Sequence, residues 1–151
     1  MANGKVHTIV GSASGAGAAL YRSRDRPVAD QIVEGLGGAL GGYVGGKAPD
    51  VLEPAIHSWH RDICHSWTVG AVLSAGAAKL QGWERHCRVK AALFRQMRFA
   101  SSEDPVKVLF YFLTELFWNL AAGFAVGFAA GYVSHLVLDA ATPRGLPLFC
   151  R

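Results

Sequence analysis

The stretch from Val28 to Gly46, VADQIVEGLGGALGGYVGG, decides how this chain folds. Glycine stands at 35, 38, 42 and 46 and again at 37, 41 and 45, so i, i+3 and i+4 spacings lay small residues along a helix face. In water each of these glycines costs a helix about 1 kcal/mol relative to alanine. Tight packing against a neighbouring backbone offsets that cost, as it does on the small-xxx-small faces of membrane helices. The stretch therefore reads as a helix that packs through its glycines.

Upstream, YRSRDRP is polar and basic and ends in Pro27, which reads as a loop opening a new helix. Before it, residues 5–20 read as a helix whose Gly11, Gly15, Ala18 and Ala19 let another backbone come near. One lysine followed by a small-residue apolar run has a superficial likeness to a signal peptide. His7 and the interrupting serines and glycines favour a packed N-terminal helix instead.

Downstream, Lys47-Ala48-Pro49 is expected to break the helix. Trp67 to Gly82 reads as a mostly apolar helix, shorter than the roughly 20 residues that a full span needs. Val106 to Ala141 is the longest apolar stretch, aromatic in its first half and Ala/Gly-rich in its second, and is interrupted by Thr114, Glu115, Asn119, Ser134, His135 and Asp139. It reads either as one long bent helix or as two helices meeting near Asn119, ended by Pro143. No strand-like alternation stands out. The expected fold is all-α, a compact bundle with membrane-embedded or membrane-hugging Gly/Ala-rich helices, in a single domain over residues 1–151.

Composition agrees with a membrane setting: 51% of residues are hydrophobic, only 17% are charged, and the 18 glycines exceed ordinary usage. Cys64, Cys87 and Cys150 are odd in number and show no CxxC spacing, which points to neither a disulfide framework nor a thiolate zinc site and fits a reducing compartment. Between Lys79 and Lys107 seven basic residues face three acidic ones. The segment reads as a solvated helix face or as a patch facing anionic headgroups on the cytoplasmic side of a bacterial-type inner membrane. No nucleic-acid motif accompanies it, so nucleic acid is not an expected partner.

The chemistry-bearing residues gather in few places. Between Pro49 and Ser66, PDVLEPAIHSWHRDICHS holds His57, His60 and His65 beside Asp50, Glu53 and Asp62. SHLVLD supplies His135 and Asp139, spaced i, i+4 and so on one helix face, and His7 stands near the start. A His/Asp pair in an apolar helix is costly to bury unless paired or metal-bound. Imidazole and carboxylate suit a divalent ion, zinc first and manganese second.

PD, then HRDICHS, then GYVSHLVLDAATPRGLPLF resemble the motifs of the YdjM-like family of membrane-associated metal-dependent hydrolases. That family's pattern runs from an early histidine through PD and HRGxTHS to GYLSHLLLDxLTPxGxPLxxP, and nearly every position from Gly131 to Phe149 fits it. The resemblance implies metal or active-site roles for His7, Asp50, His60, His65, His135 and Asp139, with Arg61 and Ser66 beside them. Leu52 and Glu53 stand where the family has a further Asp and His, so either Glu53 or His57 takes that place; Asp62 replaces a Gly and Cys64 a Thr.

The function expected on these grounds is hydrolysis of an ester or phosphodiester, on a small or lipid-linked substrate, at a His/Asp metal centre. Arg61 would meet developing negative charge, and Asp62 or Glu53 would act as general base or orient a ligand histidine. The alternative is a non-catalytic membrane scaffold whose histidines form a structural site. Membrane lipids are the expected surroundings, and the glycine faces suggest contact within the chain or between copies of it.

Overall fold

The computed structural model describes residues 4–52 and 76–141, which form four α-helices and no strand. They are α1 (Gly4–Ser23), α2 (Val28–Leu52), α3 (Ala77–Ala100) and α4 (Pro105–Ala140). The core is three interlocked ridges, each repeating every fourth residue. α1 buries His7, Gly11, Gly15, Ala19 and Ser23. α2 buries Asp30, Glu34, Gly38, Gly42 and Gly46, and α4 buries Asn119, Gly123, Gly127, Gly131, His135 and Asp139.

These ridges meet backbone to backbone. A Cβ on Gly42 would land on the carbonyl oxygen of Gly11, one on Gly131 on that of Gly42, and one on Gly127 on that of Gly38. Helix α1 thus runs antiparallel to α2, and α2 runs parallel to α4. A second glycine row on α2, Gly37, Gly41 and Gly45, sits against the carbonyls of Leu120, Phe124 and Phe128. The glycine faces inferred from the sequence are therefore used within one chain.

Large apolar side chains lie outside. Ile9, Ile32, Leu36, Leu40, Phe117 and Val137 are each more than half exposed, while the buried hydrophobic residues are mostly alanines. Water does not favour an apolar exterior over a glycine and polar interior, and lipid does. Helix α4 is long and apolar enough to cross a membrane.

Helix α3 folds back along α4 after a short turn. Asp104 caps α4, accepting from the backbone N–H groups of Val106 and Lys107 at 3.1 Å each, with Pro105 opening the helix. His86 meets Trp118 edge-on and Phe94 meets Tyr111 along the shared seam.

Three boundaries differ from expectation, and near Asn119 the structure takes one of the two readings offered, the single long helix. Tyr21, Arg22 and Ser23 extend α1, the Ser23 hydroxyl donating to the Ala19 carbonyl at 2.9 Å. Pro49 does not break α2: its ring is buried and the helix runs on to Leu52, although the missing N–H leaves the Gly45 carbonyl without its helical donor. Gly82 lies inside α3, with open space around it, so only its helix propensity is lost. Helix α4 is continuous through Asn119, whose side chain bonds across to α2 rather than to its own backbone.

Candidate metal centre

The ridge geometry carries His7, His135 and Asp139 to one end of the bundle. His135 and Asp139 are one turn apart on α4, as their spacing requires, and α1 brings His7 across from the opposite side of the chain. All three are at most 3% exposed. The two imidazoles stack with centroids 4.0 Å apart and a 26° tilt. His7 Nε2 lies 3.5 Å from Asp139 Oδ1, and His135 Nε2 lies 3.5 Å from Asp139 Oδ2. From the end of α2, Asp50 comes within 3.7 Å of His135 Nε2 while its side chain stays about half exposed.

The tautomer of His135 follows from its other nitrogen. Nδ1 lies 2.8 Å from the carbonyl oxygen of Gly46, which can only accept, so Nδ1 carries the hydrogen. Nε2 then faces the carboxylates of Asp139 and Asp50 with either a second proton or a lone pair. A lone pair aimed at carboxylates needs a cation between them. The missing Cβ of Gly46 serves the other neighbour, since a side chain there would meet the His7 carbonyl of α1.

The donor set fits a divalent ion. Bonds of about 2.1 Å in a tetrahedral site put neighbouring ligand atoms about 3.4 Å apart. The observed separations of 3.5 Å, each to a different oxygen of Asp139, come near that spacing and exceed a good charge-assisted hydrogen bond. The candidate ligand atoms of His7, His135 and Asp139 all lie within 4.8 Å of one another.

The far end of the same ridges holds a second polar cluster. Buried Asp30, Glu34, Glu84 and Glu115 meet Arg22, Arg26, Arg88, Arg95 and Arg98. Arg22 pairs with Glu84 at 2.6 Å, and Arg88 pairs with Glu34 at 2.6 Å and with Glu84 at 2.8 Å. Arg95 pairs with Asp30 and with Glu115, and Arg26 with Glu34. Asn119 donates to Asp30 at 3.2 Å and accepts from Arg26 at 3.0 Å. Burial works against a charged guanidinium at Arg88 and Arg95, but the bonds and charges of Glu34 for the one, and of Glu115 and Asp30 for the other, outweigh it and hold both above the ordinary arginine value. Burial, together with the charges of Glu34 and Glu84, pushes the neighbouring Cys87 thiol up.

A family model described as YdjM inner membrane protein matches residues 1–150. The chain belongs to this family. No curated protein and no solved structure matched in the corresponding searches. Membership of an inner-membrane family agrees with the apolar exterior and with the span-length α4.

Of the site residues read from the YdjM-type motifs, the structure brings together His7, His135, Asp139 and Asp50. Glu53, His57, His60, Arg61, Asp62 and His65 lie outside the described residues. The basic segment after Lys79 is not simply a solvated face: Arg88, Arg95 and Arg98 turn inward to buried carboxylates. Sequence reading assigned no role to Asp30, Glu34, Glu84, Glu115 or Asn119. One signal was available: Asp30 and Glu34, like Glu115 and Asn119, are spaced i, i+4 and continue the rows that carry the packing glycines.

Proposed function

We propose that the protein is a metal-dependent hydrolase of the inner membrane, cleaving an ester or phosphodiester of a lipid-linked substrate. The observation that carries this reading is the convergence of His7, His135 and Asp139 from α1 and α4, buried, with donor atoms at ligand-to-ligand spacing. A divalent ion held there, zinc first, would supply Lewis acidity, acidifying water and polarising an ester or phosphoryl oxygen.

The chain's own residues supply the rest. Gly46 holds the His135 ring in one tautomer and orientation. Asp139 offers one carboxylate oxygen to each imidazole. Asp50, at the rim and about half exposed, is placed to take a proton from water arriving at the open side. Lys and Arg are favoured in cytoplasmic segments. On that rule the arginine-rich α3 and the start of α4 face the cytoplasm. On the same reading His135, about 24 Å further along α4 than Asn119 at 1.5 Å per residue, would lie toward the opposite leaflet.

A second reading, a structural His/Asp site in a membrane scaffold, is favoured by the complete burial of His135. Elemental analysis of detergent-purified protein separates these, combined with hydrolysis of a chromogenic phosphodiester and a dye-labelled phospholipid. The hydrolase reading expects about one equivalent of metal, lost in His135→Ala and Asp139→Ala, and metal-dependent turnover that falls in Asp50→Asn while metal is retained. Metal without turnover on either ester class favours the scaffold. Metal-free protein that takes up neither zinc nor manganese removes the metal centre from both readings.

A further inference from the structure

We propose that the cleft between α3 and the facing ends of α1 and α2 binds the phosphate of an anionic phospholipid, at a site separate from the His/Asp centre. The cleft encloses about 460 Å³ and is walled by Arg22 and Arg26 on one side and by Gln81, Glu84, Arg85 and Arg88 on the other. Among the described residues α3 packs its backbone on α4 alone and reaches α1 and α2 through long arginine side chains, which pair with carboxylates and, from Arg88, donate to the Arg22 carbonyl at 3.1 Å.

Charge favours an anion there. Five arginines of the cluster meet four carboxylates, and Arg85, exposed at the mouth, adds a cation that makes no ion pair among the described residues. The lining arginines are also held in place. Glu84 takes Nε and Nη2 of Arg22 at 2.7 and 2.6 Å, which leaves Nη1 for a ligand, and Glu34 with Glu84 fixes Arg88. Guanidinium groups ordered before the ligand arrives suit the fork geometry of phosphate oxygens.

The occupant follows from what adjoins the cleft. A smaller cavity of about 140 Å³ shares Arg22, Gln81 and Glu84 with it and continues over Leu80, Val126 and Ala129. A cationic mouth leading into an apolar groove matches an amphiphile with a phosphate head and an acyl chain. The exterior of α1, α2 and α4 beside it is apolar, so leaflet lipid is the adjacent source of that chemistry. The inference rests on membership of the inner-membrane family and not on the hydrolase reading, since the two sites lie at opposite ends of the ridges.

The test is native mass spectrometry of the full chain released from micelles doped with phosphatidylglycerol, or with diacylglycerol of the same chains. Wild type is expected to retain one phosphatidylglycerol and no diacylglycerol. Arg85→Glu should weaken retention about tenfold or more, while Arg85→Lys keeps most of it; Arg85 is exposed and makes no ion pair among the described residues, so both variants should fold, as circular dichroism would check. Arg22→Gln, which alters the wall rather than the mouth, should weaken retention as well. Equal retention of the two lipids, or unchanged retention in Arg85→Glu, overturns the proposal. A third arm adds inorganic phosphate or glycerol phosphate without lipid: binding as tight as that of phosphatidylglycerol would make this a site for soluble phosphate and overturn the lipid assignment.

Discussion

The two polar ends of the bundle are built on the same three ridges and solve opposite electrostatic problems. At one end, each buried carboxylate is met by guanidinium groups, mostly at 2.6–3.2 Å, so charge is compensated within the protein. At the other, the described partners of Asp139 are two imidazoles at 3.5 Å, with Asp50 adding a second carboxylate beside His135. An arginine always carries its charge, whereas an imidazole is charged only when protonated. The arginine end thus neutralises its buried carboxylates from within the chain and ties α3 to the core. At the histidine end the described partners are groups whose charge varies with protonation, and that difference makes it the better candidate for chemistry.

The most severe way to break this comparison is to remove the ridge that joins both ends. Gly42→Leu puts a side chain on the backbone of Gly11, and no flexible neighbour can yield. Because overpacking by a methylene alone costs about 1–3 kcal/mol, loss of the folded, monodisperse protein in detergent chromatography is expected. Gly82→Ala in α3, where nothing lies close, should leave it folded.

Next in size is Glu34→Ala, which leaves Arg26 and Arg88 without a shared buried carboxylate. Breaking a buried pair by removing one partner costs about 3–5 kcal/mol. A clear drop in the thermal unfolding midpoint should follow, with metal content per folded chain unchanged. If Glu34→Ala instead abolished metal binding in folded protein, the two ends would not be separable.

At the histidine end the expected pattern is reversed. Asp139→Asn removes the carboxylate that both imidazoles face, so bound metal should fall at least about tenfold, the scale of losing a ligand or its orienting partner. Chelator treatment of wild type should lower the unfolding midpoint and leave Asp139→Asn unaffected, because a ligand stabilises only the state that binds it.

The smallest effect calibrates the others. Asp104 lies outside both clusters, and the backbone N–H and ammonium of Lys107 hold its carboxyl below the usual aspartate value. A depressed folded-state pKa contributes stability above the unfolded value, near pH 3.9, and that contribution is lost as pH falls through the folded value. Asp104→Ala should therefore lower the unfolding midpoint slightly at neutral pH, with the gap closing below about pH 4. A gap that persisted in acid would mean that the cap acts by something other than its charge.

Much of this was legible in the chain. The spacing of His135 and Asp139 foretold a shared helix face, and the glycines from 35 to 46 foretold close backbone packing. Pro49 misled, because the local rule that proline ends a helix does not count the burial of its ring in the packed bundle. The arginines after Lys79 misled as well, since composition counts charges without showing which carboxylates they will meet.

By itself, the sequence determined the helices, their small-residue rows and the membrane setting, because helical periodicity and hydropathy are local properties that read residue by residue. Tertiary structure alone decided the register. Sliding α1, α2 or α4 by one turn would keep every local preference, yet it would part His7 from Asp139 and Gly46 from His135. That choice is made where backbones interlock over glycine, in contacts between residues far apart in the chain.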